Sequence, residues 1–151
     1  TMHRNSYVNA PKCLNEFSQS KQYPNLFIAG QLSGVEGYVE SMASGLYVAI
    51  NMLQYLNNKP LQSLPSTTVL GAIENYIAFC QEKNFQPMNA NYGIVQAENM
   101  RNKDEKKQKI YNISMQEIDK FKNLIIFSDW WGYFIIKNLK FIYQAMLMHI
   151  N

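Results

Sequence analysis

Three glycines in close order, Gly30, Gly34 and Gly37, follow a short apolar run, Asn25-Leu26-Phe27-Ile28-Ala29, and precede a long helical period. Residues of this type at this spacing can hold an anion. A helix that starts at Gly37-Tyr38 presents free backbone N–H groups and the positive end of its dipole. That environment favours a pyrophosphate or the N1–C2=O edge of a reduced flavin. Gly34 and Gly37 allow backbone to approach a ligand with no Cβ between them, and Gln31 offers a donor and an acceptor to a hydroxyl or a ring edge. The glycines read G-x-x-x-G-x-x-G, which differs from the dinucleotide fingerprint G-x-G-x-x-G. A tight turn that only packs a helix on a sheet would show the same spacing, so both readings stand. Glu36 and Glu40 flank the helix start; carboxylates there complement the dipole as readily as they serve as acid or base.

These residues need elements to position them. The run 25–30 predicts a buried strand of a parallel sheet that ends at Gly30, which would put the turn where α/β proteins bind ligands. A helix is expected over Tyr38–Leu56, with Val39, Met42, Ala43, Leu46, Ile50 and Leu53 on its inner face and Asn57-Asn58-Lys59-Pro60 ending it. Ser41, Gly45 and Ala49 are spaced by four. Gly45 costs about 1 kcal/mol in helix propensity against Ala, so a close approach of a neighbour is expected there. After a Pro/Ser loop at 60–66, a second helix begins behind a cap at Ser66 or Thr67, with Leu70, Ile73, Ile77 and Cys80 facing inward.

The segment 84–93 reads as a loop pinned to the core by Phe85, Met88 and Tyr92. Residues 103–123 are charged and then periodic. Ser114 and Glu117 match a capping box, which predicts a break and restart of that helix. The charge run 103–109 fits a solvated helix face or a contact with RNA. Near the start, Tyr7-Val8 suggests a short strand and Asn9-Ala10-Pro11 a turn.

Composition sets broad bounds. The chain has 151 residues, 47% hydrophobic and 17% charged, with a formal net charge of +3. That is enough for one domain with its own core, and no Lys/Arg block marks a phosphate track. Cys13 and Cys80 lie far apart without ligand-like spacing, so no metal set is expected and a reduced, cytoplasmic setting follows. Thr1-Met2-His3-Arg4 does not open a secretory signal. The longest apolar stretch, Leu124–Ile150, is interrupted by Asp129, Lys137 and Lys140, so no membrane span is expected. Trp130, Trp131, Tyr133 and Phe134 could sit at a membrane surface, but apolar residues around all sides of that helix fit core packing better.

The run Leu26-Phe27-Ile28-Ala29-Gly30-Gln31-Leu32-Ser33-Gly34-Val35-Glu36-Gly37-Tyr38-Val39-Glu40-Ser41-Met42-Ala43-Ser44-Gly45-Leu46 resembles the C-terminal flavin motif of the methylenetetrahydrofolate–tRNA-(uracil-5-)-methyltransferases, the TrmFO family. Three more segments agree in order: His3-Arg4-Asn5-Ser6-Tyr7-Val8-Asn9-Ala10-Pro11-Lys12, Pro65-Ser66-Thr67-Thr68-Val69-Leu70-Gly71-Ala72, and Asn84-Phe85-Gln86-Pro87-Met88-Asn89-Ala90-Asn91-Tyr92-Gly93. The related GidA-type flavoproteins share Ala-Gly-Gln but have Gly-Tyr-Glu-Glu-Ala where this chain has Gly37-Tyr38-Val39-Glu40-Ser41. Ser6, Ala10 and Cys13 replace the family's usual Thr, Ser and Leu, and Ala49 stands where Gly is frequent.

The resemblance implies an α/β, predominantly helical piece. It would be the C-terminal strand–turn–helix of a Rossmann-like FAD-binding domain with further helices, family-like over 1–123 and followed by a helical tail over 124–151. It implies FAD as cofactor, methylenetetrahydrofolate and NAD(P)H as co-substrates of the intact enzyme, and tRNA or ribosomal RNA as its partner. The expected cofactor contacts are Gly30, Gln31, Gly34, Gly37, Tyr38, Val39 and Glu40, and the expected substrate contacts are Asn89, Asn91 and Tyr92. Asn side chains that only fix the 85–93 loop are the alternative for the latter.

The family's N-terminal glycine fingerprint and catalytic cysteines have no counterpart here. Cys13 and Cys80 do not align with those cysteines, so no catalytic residue is assigned and the missing N-terminal half is the implied partner. An inactive remnant and a helical RNA- or protein-binding module are the alternatives.

Overall fold

The structure, a computed structural model, describes residues 6–97, 101–124 and 130–149. His3, Arg4 and Asn5 of the first motif, and the side chains of Trp130, Trp131, Tyr133 and Phe134, lie outside the described residues. The fold is α/β and mostly helical. A short helix α1 (Ala10–Cys13) is followed by a 3-10 turn (Gly30–Ser33), strand β1 (Val35–Glu36) and the long helix α2 (Tyr38–Leu56). Then come α3 (Val69–Phe79), strand β2 (Met88–Asn89), α4 (Lys103–Leu124) and α5 (Trp130–His149). Helix α2 is the hub: the turn, β1, α3 and α5 all pack on it. Tyr47, Ile50, Leu70, Ile73, Ile77, Ile110, Ile118, Tyr143 and Met146 are fully buried in one core cluster. Among the described residues no helix is long and apolar enough to cross a membrane.

The strand lies elsewhere than the apolar run suggests. Residues 25–30 hold no parallel strand; Phe27 makes an isolated antiparallel bridge with Gln19, and Ile28 N–H donates to the Ser18 carbonyl at 3.0 Å. The parallel pair forms after the turn, with Val35 opposite Met88 and Glu36 opposite Asn89. A five-residue apolar run carries no periodicity to separate these outcomes. Tyr7-Val8 is likewise not a strand, and the Asn9–Pro11 turn opens α1, with Pro11 in its first turn, where a missing N–H costs nothing.

Helix α2 runs over the expected residues, but its buried face is rotated. Ala43, Ser44, Tyr47, Val48, Ile50, Asn51 and Gln54 are buried, whereas Met42 is 52% exposed. Polar residues were admitted because they have partners. Asn51 Nδ2 donates to the Gln62 carbonyl at 3.1 Å and its Oδ1 accepts the Gln62 N–H at 2.8 Å, which ties the 60–66 loop to the helix. A Cβ on Gly45 would meet nothing within 4 Å among the described residues, so no close approach is seen there among them. It falls at Ser41, whose Cβ would stand 3.3 Å from a Cβ on Gly30. Asn58, with φ of 54°, takes the left-handed position that ends α2.

Thr68, one residue beyond the expected caps, caps α3: its Oγ1 accepts the Gly71 N–H at 3.0 Å and donates to the Pro65 carbonyl at 2.8 Å. Leu70, Ile73 and Ile77 face inward as expected, while Cys80 is only half-buried at the helix end. Helix α4 does not break at Ser114, which is buried. Its capping pair is Asn102 and Glu105: Asn102 Oδ1 accepts the Asp104 N–H at 3.0 Å, and Asn102 Nδ2 donates to Glu105 Oε1 at 3.0 Å.

Candidate functional site

The glycine turn is built from backbone that only glycine adopts without strain. Gly30, Gly34 and Gly37 have φ of +64°, +100° and +95°, in the left-handed half of the map. Gly30–Ser33 makes one 3-10 turn, closed by the Gly34 N–H on the Gln31 carbonyl at 3.0 Å and by Ser33 Oγ on the Gly30 carbonyl at 2.8 Å. Gly34 also admits a neighbour, because a Cβ there would stand 2.5 Å from Phe85 Cζ.

Two other motif segments, 3–12 and 84–93, and the middle of α3 reach this turn. Val8 N–H, from the first, donates to the Leu32 carbonyl at 2.9 Å. Met88 N–H, from the Phe-Gln-Pro-Met-Asn loop, donates to the Gly34 carbonyl at 2.9 Å. Phe85 packs edge-on to Tyr7, with ring centroids 6.1 Å apart, and tilted against Tyr76, at 5.7 Å. From α3, two residues beyond the Pro65–Ala72 segment, Glu74 reaches the turn through Ser44: Ser44 Oγ donates to Glu74 Oε1 at 2.8 Å and accepts the Gly30 N–H at 3.2 Å. Ser18 Oγ donates to the other carboxyl oxygen at 2.6 Å. Burial pushes the Glu74 carboxyl up to about 7, against the lowering effect of the two serine hydroxyls. Nothing in the spacing of the sequence marked Glu74, since its partners lie 30 and 56 residues away.

The turn has an inner and an outer side. Gly30 and Gly34 are buried and their amides are used within the fold. Gln31 and Gly37 are exposed, and Tyr38 is 93% exposed. Among the described residues no side chain caps the start of α2, so the amides of its first turn, Tyr38, Val39 and Glu40, carry the helix's positive end outward. The Glu40 side chain folds back over Gly37. At α3 the corresponding amides are occupied: Thr68 takes Gly71, and the Tyr143 phenol oxygen takes Val69 at 2.9 Å. The outward side can therefore receive an electron-rich ring edge or a phosphate from amide donors, with Gln31 beside it.

The expected substrate contacts separate. Asn89 is exposed and sits opposite Glu36 in the strand pair, one residue before Gly37. Asn91 holds its own loop: its Oδ1 accepts the Gly93 N–H at 3.0 Å and the Ile94 N–H at 3.2 Å, and its Nδ2 donates to the Asn89 carbonyl. Tyr92 donates its hydroxyl proton to the Leu147 carbonyl at 3.2 Å, and Lys107 Nζ stands 5.8 Å from its ring centroid. Cys13 is exposed and Cys80 half-buried, both as free thiols. No cluster of metal-ligating residues occurs among the described residues.

Comparison with known proteins places the chain among named relatives. A family profile described as "Glucose inhibited division protein A" matches residues 1–60. Proteins named methylenetetrahydrofolate–tRNA-(uracil-5-)-methyltransferase TrmFO match most of the chain. That of Thermosipho melanesiensis is 48% identical over 120 residues, covering 80% of this chain and 27% of the relative. That of Ligilactobacillus salivarius is 46% identical over 125 residues, covering 82% and 29%. That of Streptococcus agalactiae is 43% identical over 125 residues, covering 81% and 28%. The chain thus spans a little over a quarter of the length of the curated relatives it matches. At 43–48% identity over about four fifths of its length, the chain belongs to the TrmFO family.

Proposed function

We propose that this chain supplies one wall of the flavin site in a folate- and FAD-dependent RNA (uracil-5-)-methyltransferase that forms 5-methyluridine in the tRNA T-loop. The observation that carries the reading is the uncapped, outward-facing start of α2 behind three left-handed glycines. The residues fit the group: amide donors at Tyr38, Val39 and Glu40 suit the electron-rich N1–C2=O edge of a reduced isoalloxazine, and exposed Gln31 suits a hydroxyl or ring edge. Gly30 and Gly34 shape the turn that presents them, and Gly37 opens the helix end.

Reduced FAD supplies the hydride that, with a one-carbon unit from methylenetetrahydrofolate, completes the methyl group. This chain's part is to bind and orient. The helix end stabilises negative charge at the flavin edge by about 0.3–1 kcal/mol, and more where water is excluded. Exposed Asn89, joined to Glu36 through the strand pair, is the residue assigned to the folate or the RNA, and Asn91 and Tyr92 hold that loop in place. The opposite wall, the thiolate nucleophile and the NAD(P)H and tRNA contacts belong to the remaining part of the polypeptide, in a cytoplasmic enzyme. Leu32 and Met42, 48% and 52% exposed beside the turn, suit a face that the rest of the enzyme covers.

Flavin titration tests the reading. The chain alone is expected to bind FAD weakly. Combined with the remaining segment of the enzyme it should retain flavin through gel filtration, and Gly37→Ala should lower that retention. Tight binding by the chain alone, with a structured flavin spectrum, would overturn the half-site reading.

A further inference from the structure

Glu74 is 2% exposed and its two carboxyl oxygens are held by hydroxyls from two other parts of the chain, Ser18 and Ser44. Among the described residues, burial and the Ser18 and Ser44 hydroxyls set its ionisation, and no basic side chain does. An ionised carboxylate in such a place is costly unless it has a task or strong hydrogen bonds. Its contacts run in one direction. The Gly30 N–H donates to Ser44 Oγ at 3.2 Å, and Ser44 in turn donates to Glu74 Oε1 at 2.8 Å. Gly30 is the residue at which the chain enters the left-handed turn, with φ of +64°.

We propose that Glu74 is a positioning residue for the glycine turn: it fixes the Ser44 hydroxyl, and the Ser44 hydroxyl fixes the Gly30 amide from which the cofactor-facing turn is hung. The proposal rests on the reading of that turn as a flavin wall for its functional meaning, but the coupling itself is a property of this chain. With Glu74 ionised, both carboxyl oxygens accept, and Ser44 can give its proton to Glu74 while accepting from Gly30. When Glu74 is protonated on Oε1, the oxygen bonded by Ser44, that oxygen becomes a donor. Ser44 then faces a donor on each side and its own proton is redirected, which changes the bond that Gly30 makes.

The other ionisable groups facing this site are Tyr47 on α2 and Glu16 in the segment after α1. The Tyr47 phenol is pushed well above its ordinary range, by burial first and then by the charges of Glu74 and Glu16, so it stays neutral. Glu16 lines a cavity of about 230 Å³ together with Glu74, Gly71 and Asn75.

The test is an NMR pH titration of the full chain without flavin, following the Gly30 amide and the Glu74 side-chain carboxyl carbon. The Gly30 amide is expected to move with the Glu74 inflection, near pH 7. In Ser44→Ala the Glu74 inflection should persist while the Gly30 amide becomes flat; in Glu74→Gln the Gly30 amide should be flat as well; in Glu16→Gln the coupling should remain. A flat Gly30 amide in the unmodified chain, or one that still titrates in Ser44→Ala, would overturn the proposal. Should Glu74→Gln fold poorly, the unmodified chain and Ser44→Ala decide between them. Flavin retention by the chain combined with the remaining segment of the enzyme tests the flavin reading separately, so each can fail without the other.

Discussion

The Tyr143 phenol oxygen accepts the Val69 N–H at 2.9 Å and stands 3.4 Å from the Leu70 nitrogen, joining the last helix to the first turn of α3 across more than seventy residues. Together with the Thr68 cap, this occupies the amides with which α3 begins. The last helix is thus part of the core, with Met146 and Leu147 buried beside Tyr143. Tyr143→Phe removes the acceptor and keeps the ring. It should lower unfolding free energy by about 1–3 kcal/mol, the usual cost of leaving a buried donor unpaired. Hydrogen exchange at Val69 and Leu70 should speed up more than at Ile77; unchanged protection at all three would refute the role.

Glu74 predicts a pH dependence of stability. Its folded carboxyl titrates at about 7, above the ordinary 4.5, because of burial. The folded state therefore holds the proton more tightly than the unfolded state. This favours folding fully below about pH 4.5, and the advantage is lost as pH rises to about 7. The shift corresponds to something on the order of 3 kcal/mol. Denaturant midpoints measured from pH 5 to 8 should fall for the unmodified chain and stay flatter for Glu74→Gln, with the variant gaining most at pH 8. Parallel curves for the two proteins would assign the pH dependence to other groups.

Gly34 carries two constraints, a φ of +100° and the Phe85 ring against its Cα. Gly34→Ala must strain the backbone and push Phe85 away, at a cost of about 2–4 kcal/mol. Because the Gly34 carbonyl also accepts Met88, near-ultraviolet circular dichroism and exchange at Met88 should report loosening of the strand pair. A variant as stable as the parent, with Met88 still protected, would contradict the packing described.

Asn51 is buried and closes a two-point bond with the Gln62 backbone. Asn51→Ala leaves that backbone N–H and C=O without their partner and should cost about 1–3 kcal/mol. Limited proteolysis should show new cleavage within 60–66; a loop that stays resistant would mean that other contacts hold it.

What the sequence determined by itself is local or motif-borne. The span of α2 follows from its periodicity and from the Asn57-Asn58 stop. The inward face of α3 follows from Leu70, Ile73 and Ile77, and family membership from four ordered segments and the glycine turn at 30–37. These are legible because helical period, glycine spacing and short motifs are written in neighbouring residues.

Tertiary structure decided what depends on distant partners. The strand settled at Val35–Glu36 because Met88–Asn89 came beside it, while residues 25–30 bonded back to Ser18 and Ser20. Ser44, Asn51 and Gln54 went inside against their polarity, the first two because Glu74, Gly30 and Gln62 receive them. Gly45, expected to admit a neighbour, meets open space among the described residues, and Ser41 makes the approach to Gly30 instead. A buried polar group is tolerated only where a partner waits, and along a single chain that partner is invisible until folding brings it within about 3 Å.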